Sequence, residues 1–328
     1  MYTKYKSEII REVYSKTQLD VANLVKSHTN DVIIPCSGEA AIEIATARCV
    51  LIPEILLGGD LNIIRLNGYH DGGFFAYQLN GKRKVDIAKV AQGVSVVHLY
   101  GEHLKKVKVS YPSLKEQQKI SSFLALLDER IATQIKIIEK LESLIKGLCS
   151  SLFDKNKYDS FVRLGDISEI TNGNSDVQDA SLSYSDGMYP FFDRSEDIKF
   201  LPEYLLDKEA IIYPGEGSEF YPRYYNGKFA LHQRCYAIYD IAPNFATRYL
   251  YFFCKTQNSY FVRNAVGSTV ASLRLDTFKR LNIPNIPIEL QKTYVQLLDK
   301  IETKIVDNKT VLKKYEEQKR YLLSKMFI

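Results

Sequence analysis

The chain repeats itself at a distance of 174 residues, and that repeat limits what it can fold into more than any other feature. Gly93, Leu99, the run Leu104-Lys105-Lys106-Val107 and Val109 match Gly267, Leu273, Phe278-Lys279-Arg280-Leu281 and Ile283. The match continues without a gap. Gln117, Leu124, Ile131, Glu142, Leu148, Ser150 and Phe153 fall on Gln291, Leu298, Ile305, Glu316, Leu322, Ser324 and Phe327. Solenoid units run about 20–50 residues, so this is two copies of a whole module. Each copy reads as a globular part followed by a long helix.

A chain of 328 residues suits about two domains. Its 45% apolar and 25% charged content are ordinary for a protein that buries real cores. The formal charge of +5 is mild and fits a solvated basic face as well as a nucleic-acid surface. Attraction to phosphate needs a local basic stripe, not a high total. Cys36, Cys49, Cys149, Cys235 and Cys254 are scattered, which argues against a zinc site or disulfide framework and fits a reducing cytoplasm. No apolar run reaches the roughly 18 residues of a membrane span. The start, Met1 to Lys6, lacks the apolar core of a signal peptide. The expectation is a cytoplasmic protein with no membrane partner.

Residues 1–30 read as helical at first, then as loop. Short β-type segments follow at Asp31–Pro35, Cys49–Ile52 and Leu61–Leu66, separated by Gly58-Gly59-Asp60, Asp71-Gly72-Gly73 and Asn80-Gly81. A helix is expected over Phe74–Leu79, and a closing strand over Lys105–Val109. In the second copy, the part opening at Val162-Arg163-Leu164-Gly165-Asp166-Ile167 carries Glu209–Gly215, comparable to Asp31–Pro35. It closes in the strand-like Leu281-Asn282-Ile283-Pro284.

Two runs have the spacing of heptads. The first seam is Leu124, Leu127, Ile131, Ile138, Leu141, Ile145, Leu148 and Leu152, interrupted only by Gln134. The second is Leu298, Ile301, Ile305, Leu312, Tyr315, Leu322 and Met326, with Asn308 in the place of Gln134. A polar residue in a seam can fix register or mark a stretch open to water. Neither helix can bury its stripe alone. The simplest solution is that they pack on each other, although pairing between chains would satisfy the same stripes. Pairing within one chain makes the helices antiparallel about an approximate two-fold axis. About 40 helical residues span roughly 60 Å, on the order of 15–18 base pairs of B-DNA.

The expected fold is therefore α+β: two similar globular domains separated by two long antiparallel coiled-coil helices with pseudo-two-fold symmetry. The boundaries are 1–113 for the first globular domain, 114–154 for its helix, 155–287 for the second globular domain and 288–328 for its helix.

Pro112-Ser113-Leu114-Lys115-Glu116-Gln117-Gln118-Lys119-Ile120, running into Phe123-Leu124 and Asp128 and closing in Leu152-Phe153, resembles the specificity subunit of type I restriction–modification systems. That family carries a proline-ended strand, a Leu-x-Glu-Gln segment and a long coiled-coil helix. Pro287-Ile288-Glu289-Leu290-Gln291 is a degraded second version that keeps Gln291 but has lost the acidic residue before it. Leu164-Gly165-Asp166-Ile167 and the Gly267-Ser268-Thr269 turn also resemble the family's target-recognition domain. The resemblance covers nearly the whole chain. It implies that each globular part reads one half of a bipartite site in double-stranded DNA. It implies that the helices set the spacing and dock two methyltransferase subunits, with restriction subunits completing a complex for phage defence. The chain itself would be no enzyme and hold no cofactor. Its partners would use S-adenosylmethionine, and ATP with Mg for cleavage. One departure stands out. About 48 residues separate Arg163 from Ile211, but only 32 precede Ile33, so the first copy lacks a counterpart to Leu164–Gly173.

Phosphate contacts need Lys and Arg, and base readout needs hydrogen-bonding side chains on exposed loops. In the second copy the DNA-binding candidates are Arg223, Tyr224, Tyr225 and Lys228 around Asn226-Gly227, which reads as a hairpin tip. His232-Gln233-Arg234 follows. Ser268, Thr269, Ser272 and Arg274 form a second polar loop. Arg194 and Lys199 follow an aromatic run, Tyr189-Pro190-Phe191-Phe192, that reads as core. In the first copy the candidates are Lys82, Arg83 and Lys84 after an Asn-Gly turn, then Arg65, His70, Ser95 and His98. His98 alternates with Val97 and Leu99, so a partly buried histidine is an equal reading.

No Asn-Pro-Pro-Tyr or Asp-Pro-Pro-Tyr motif and no phosphate-binding Gly-x-x-x-x-Gly-Lys-Ser/Thr loop appear. Glu317-Gln318-Lys319 superficially fits half of a nuclease motif, but lies on the heptad helix and reads as a solvated face. Gly215-Glu216-Gly217 reads as a turn. No metal site is expected. The alternative class is a coiled-coil scaffold whose globular ends bind protein.

Overall fold

The structure, a computed structural model, describes residues 5–18 and 24–327. The chain divides into two compact units, Met1–Ile138 with Asp307–Ile328, and Glu139–Val306. Both long helices therefore contribute to both units.

The first unit contains β1 (Ile9–Ile10), β2 (Asp31–Pro35), β3 (Ser37–Gly38), α1 (Ala41–Ile44), β4 (Arg48–Val50), β5 (Leu61–Ile64), α2 (Gly72–Asn80), α3 (Lys84–Lys89), β6 (Val97–His98) and α4 (Gly101–Leu104). Its main sheet has the order β1-β4-β2-β5. The helix expected over Phe74–Leu79 is α2. It is capped by the Asp71 side chain, which accepts from Phe74 N–H at 2.7 Å. The helix expected near the start is not found in residues 5–18. The β-branched pair Ile9-Ile10 instead runs parallel to β4, with Cys49 N–H donating to Glu8 C=O at 2.8 Å. The rest of that expectation, at residues 1–4 and 19–23, lies outside the described residues.

α5 (Leu114–Leu152) leads to the second unit. That unit contains β7 (Phe161–Arg163), α6 (Leu164–Ile167), β8 (Glu169–Asn172), β9 (Tyr189–Phe192), β10 (Lys199–Leu201), β11 (Leu206–Pro214), β12 (Arg223–Leu231) and β13 (Cys235–Tyr239). α7 (Thr247–Lys255), α8 (Asn258–Asn264), α9 (Leu275–Lys279) and β14 (Asn282–Pro284) precede the final helix, α10 (Ile288–Lys325). The main sheet has the order β10-β9-β12-β11-β13-β8.

The two sheets share four strands. β2 pairs antiparallel with β4 and β5, as β11 does with β12 and β13. β1 pairs parallel with β4, as β9 does with β12. The second sheet adds β8 at one edge and β10 at the other. Among the described residues, the first unit has no strand in either place. The missing β8 falls in the segment that the first copy lacks in sequence.

Two strand expectations are corrected. Lys105–Val109 is turn and coil, although its equivalent forms β14. β14 is held by antiparallel pairing with β7, and the first copy supplies no β7 partner among the described residues. Asn226-Gly227 is no hairpin tip. Both residues lie inside β12, opposite Glu209 and Lys208 of β11. Gly227 is passed at φ +128°, a conformation that favours glycine, without turning the chain.

The long helices bury their seams. Leu124, Leu127, Ile138, Ile145, Leu298, Ile301 and Ile305 are buried, while Ile131, Leu141, Leu312, Tyr315 and Leu322 are half-buried. In the first unit Leu124 shares a core with Phe74, Tyr77, Leu322 and Phe327. In the second, Ile145 and Phe153 share one with Leu298, Ile301, Ile305 and Tyr249. The pairing is antiparallel: Asp128 meets Lys319 at 2.6 Å, while the later Gln134 meets the earlier Asn308.

Buried polar groups tie each globular part to its helix. Gln117 accepts from Asp71 N–H at 3.0 Å and donates to Pro112 C=O at 2.9 Å. Gln291 accepts from Ala246 N–H and donates to Asn244 and Ile286 C=O, each at 2.9 Å. In both units this glutamine receives an N–H at the start of the helix that packs on the sheet. Tyr77 O–H donates to Asp128 at 2.7 Å, and its repeat equivalent Tyr251 donates to Glu302 at 3.0 Å. Lys319 corrects another expectation. It is not solvated; it lies mostly buried, 2.6 Å from both Glu8 and Asp128, while Glu317 and Gln318 are exposed. Among the described residues, no helix is long and apolar enough to cross a membrane.

Candidate nucleic-acid interface

Both units present one loop of the same construction. Gln92 and His98 exchange backbone hydrogen bonds of 2.9 and 2.7 Å, and so do Val266 and Ser272. Five residues lie between each pair. The loops begin at Gly93 (φ +123°) and Gly267 (φ +115°), a conformation that L side chains rarely adopt. An added Cβ would come within 2.1 Å of Val96 C=O or 2.4 Å of Val270 C=O. The next residue but five, Leu99 or Leu273, is buried and anchors the loop. The tips leave Val94 and Ser95, or Ser268 and Thr269, exposed. Arg274 follows as the exposed N-cap residue of α9, and no described contact engages its guanidinium.

The second unit also carries a polar groove of about 570 Å³. One side is the tight β12–β13 turn. There Cys235 N–H donates to His232 C=O at 2.8 Å, and Arg234 N–H donates to His232 Nδ1 at 3.2 Å. Gln233 is exposed, with its N–H held by Ser175 C=O at 3.1 Å and its amide 3.4 Å from Asp176. Arg234 is largely exposed and paired with Glu216. The opposite wall is Asp193 to Lys199. Burial raises the Asp193 carboxyl, but the Lys199 ammonium at 2.5 Å and the Ser195 hydroxyl and N–H hold it below the ordinary carboxylate value. Arg194 projects from that wall, exposed and without a described partner.

Arg223 props this wall. Its Nη2 donates to the carbonyls of Asp193 and Ser195 at 2.5 and 2.6 Å, and its guanidinium lies 5.5 Å from the Phe192 ring. Tyr224 and Tyr225 point to opposite faces of β12. Tyr224 donates to Glu209 at 2.5 Å and lies under Arg248, whereas Tyr225 packs on Phe192 and Phe229. These three side chains are engaged in the fold. Lys228 is exposed, with its ammonium 4.9 Å from the Tyr204 ring centroid. The structure thus gathers His232 and Arg234 at one groove, with Ser268, Thr269 and Arg274 on the separate loop. Glu216 links them, since Ser272 Oγ donates to its carboxylate at 3.3 Å.

In the first unit, Lys82 is exposed, Arg83 lies 3.4 Å from Asp86, and Lys84 opens α3. Gly81 lets this run approach α10, where a Cβ would come within 2.8 Å of Leu323 C=O. Arg65 sits 3.6 Å from the buried Asp31 carboxylate and donates to Lys26 C=O at 3.0 Å, so it braces the fold. His98 is exposed and stacks on Tyr100, while His70 packs edge-on between Phe75 and Tyr111.

The reciprocal closures Gln92–His98 and Val266–Ser272 escape sequence reading, although the matched Gly93 and Gly267 carry their signal. The acceptors Asp176 and Glu216 escape it as well, since nothing local marks them. Among the described residues, no cluster of His, Cys, Asp and Glu could hold a metal ion.

The family described as the type I restriction modification DNA specificity domain matches residues 13–143 and 157–316. The fold is similar to that of the S subunit of a type I restriction-modification system from M. genitalium, with a TM-score of 0.70 and 17% identity over 99% of this chain and 89% of that one. It is also similar to a chain from a structural study of complex assembly and conformational transition of the type I R-M system. There the TM-score is 0.55 and the identity 15%, over 91% of this chain and 81% of the other. With both copies of the repeat matched, the chain belongs to the family of type I restriction modification DNA specificity domains, the non-catalytic, sequence-recognising components of those systems.

Proposed function

We propose that each unit reads one half of a bipartite DNA site, and that the long helices set the gap between the halves. The observation that carries this reading is the duplicated loop. Each unit presents a glycine-started, reciprocally closed loop whose exposed tip carries hydroxyl groups, Ser95 in the first and Ser268 and Thr269 in the second. Such loops bring backbone and hydroxyl groups close to a groove without bulky side chains in the way. Arg274 and Lys82 add cations for phosphate.

The same helices dock two methyltransferase subunits in this reading. Exposed apolar side chains recur at repeat-equivalent positions on their outer faces, Phe123 with Leu297 and Ile137 with Val311. Two equivalent apolar sites suit two copies of one partner. Those subunits would carry S-adenosylmethionine, and restriction subunits ATP with Mg.

The test is to express the chain with a type I methyltransferase subunit and map methylated adenines across the host genome. The expected result is a bipartite motif with a fixed gap. A single half-motif, or its inverted repeat, would mean that only one unit reads sequence. No methylation, with no stable complex between the two proteins, would overturn the reading in favour of a protein-binding scaffold.

A further inference from the structure

The groove between the β12–β13 turn and the Asp193–Lys199 wall has a charge pattern that is wrong for phosphate. Its cations are Arg194, Lys199 and Arg234, and its carboxylates are Asp176, Asp193 and Glu216. Two of the cations are already neutralised, Lys199 by Asp193 and Arg234 by Glu216. A phosphodiester entering here would gain one free guanidinium, Arg194, and face one carboxylate outside those ion pairs, Asp176, in a groove with no net positive charge. Tight phosphate tracking needs an excess of positive charge, which this groove lacks.

The same pattern suits base edges. In the major groove each base pair offers a mixed row of donors and acceptors. Gln233 has an exposed amide held only by a 3.4 Å contact to Asp176, so it can donate and accept together as the edge of adenine requires. Arg194 has an unengaged guanidinium, which matches the two acceptors of guanine. His232 accepts at Nδ1 from Arg234 N–H, which leaves its proton on Nε2 as a donor. The turn is rigid, because backbone bonds from Gln233 to Ser175 and from Cys235 to His232 fix it from both sides. Arg223, half-buried beneath, holds the opposite wall by its two carbonyl contacts. The side chains are therefore presented on a fixed frame, as specific reading needs.

We infer that this groove is a base-reading site of the second unit, with Gln233 and Arg194 contacting base edges and not phosphates. The inference rests on the reading that the unit binds DNA, and it names which side chains set the sequence.

The test uses the full chain, incubated at fixed salt with a pool of random-sequence duplexes, the bound fraction being sequenced. Binding of the selected duplex and of an unrelated one is then followed against salt. Both residues are exposed, and thermal unfolding checks that the variants fold. The wild type should select a motif. Gln233→Ala and Arg194→Ala should each relax one or two positions of it and weaken the selected duplex about 10–100-fold. The unrelated duplex and the slope of log affinity against log salt should not change. A uniform loss on both duplexes, with the slope reduced by about one for Arg194→Ala, would place that side chain on phosphate and overturn the inference. An unchanged motif in both variants would overturn it too. A wild type that selects no sequence is a different failure, because it removes the DNA-reading function itself.

Discussion

Gln134 and Asn308, which occupy the same position in the two copies of the repeat, hydrogen-bond to each other. Gln134 Nε2 donates to the Asn308 side-chain oxygen and, at 3.3 Å, to its backbone carbonyl. The antiparallel helices bring these equivalent positions face to face, and they hold polar residues in an otherwise apolar seam. An amide pair at that point penalises any sliding of the helices, because a shifted register would bury both amides against Leu or Ile. Gln134→Leu alone should destabilise the protein by about 0.5–1.5 kcal/mol, since it removes the hydrogen bonds that the buried Gln134 amide makes to Asn308. The double variant Gln134→Leu, Asn308→Leu should recover most of that loss. A urea double-mutant cycle measures the coupling, and additive losses would deny that the two amides act as a pair.

Gln117 and Gln291 explain why the second copy could lose its acidic residue and still keep its glutamine. Each glutamine is buried and bonded on both sides of its amide, whereas Glu116 is exposed and meets only Lys119. Gln291→Ala should cost about 2–4 kcal/mol, because three backbone groups lose a buried partner. Glu116→Ala should stay within about 0.5 kcal/mol. Chemical denaturation of the two variants decides the matter, and equal losses would contradict the assignment.

Gly93 and Gly267 should not tolerate a side chain. The backbone lies at positive φ, and a Cβ would collide with a carbonyl of the same loop. Gly267→Ala should therefore disturb the loop and weaken DNA binding more than Gly227→Ala. The latter residue has similar φ, but its nearest neighbour to a new Cβ is the Tyr225 ring at 3.7 Å. Thermal unfolding and duplex binding of the two variants, compared side by side, provide the check.

Much of this architecture is legible in the chain itself. The 174-residue offset and the two heptad seams specify two modules on paired helices, because periodicity records which faces must be buried. The strands were legible where apolar runs cross a core, as in Ile33-Ile34 and Ile211-Ile212. They were misread where a neighbour decides. Leu281–Pro284 and Lys105–Val109 are similar segments, yet among the described residues only the first has a strand to pair with. Asn226-Gly227 looks like a turn, but its pairing with Glu209 and Lys208 is set 17 and 19 residues away. The same limit applies to the interface. Charge and polarity are local and visible, whereas engagement is not. Nothing near Arg223 or Arg65 announces that each braces backbone carbonyls, and nothing near Lys319 reveals the buried Glu8 and Asp128.

The equivalent carboxylates Asp128 and Glu302 should respond oppositely to pH. At Glu302, burial resists ionisation most strongly, but Lys255 and Arg248 together hold the carboxyl below its ordinary 4.5. At Asp128, burial and then the negative charge of neighbouring Glu8 raise the carboxyl above its ordinary 3.8, against the opposing pull of Lys319 and Tyr77. A lowered folded value means stability that is present above about pH 4.5 and lost as pH falls from there through the lower folded value. A raised value means that ionised Asp128 weakens its unit as pH rises. Glu302→Gln should therefore cost more stability at pH 7 than Asp128→Asn, and should flatten the loss of stability on acidification. Urea midpoints between pH 3 and pH 7 test both, and a larger neutral-pH loss for Asp128→Asn would reverse the assignment.

Arg274 and Lys82 are expected to contact phosphate and not base edges. Both are exposed and free of acidic neighbours in the described contacts, unlike Arg234, which Glu216 already neutralises. A single cation on phosphate releases about one counterion, so its removal should lower the salt slope by about one and weaken all duplexes alike. Arg274→Ala and Lys82→Ala are each expected to do this without changing the selected motif. Arg234→Ala should leave the slope nearly unchanged, because the charge it removes is paired. Binding isotherms from about 50 to 200 mM salt read these slopes directly. A slope change for Arg234→Ala equal to that for Arg274→Ala would mean that the Glu216 pair opens when DNA binds.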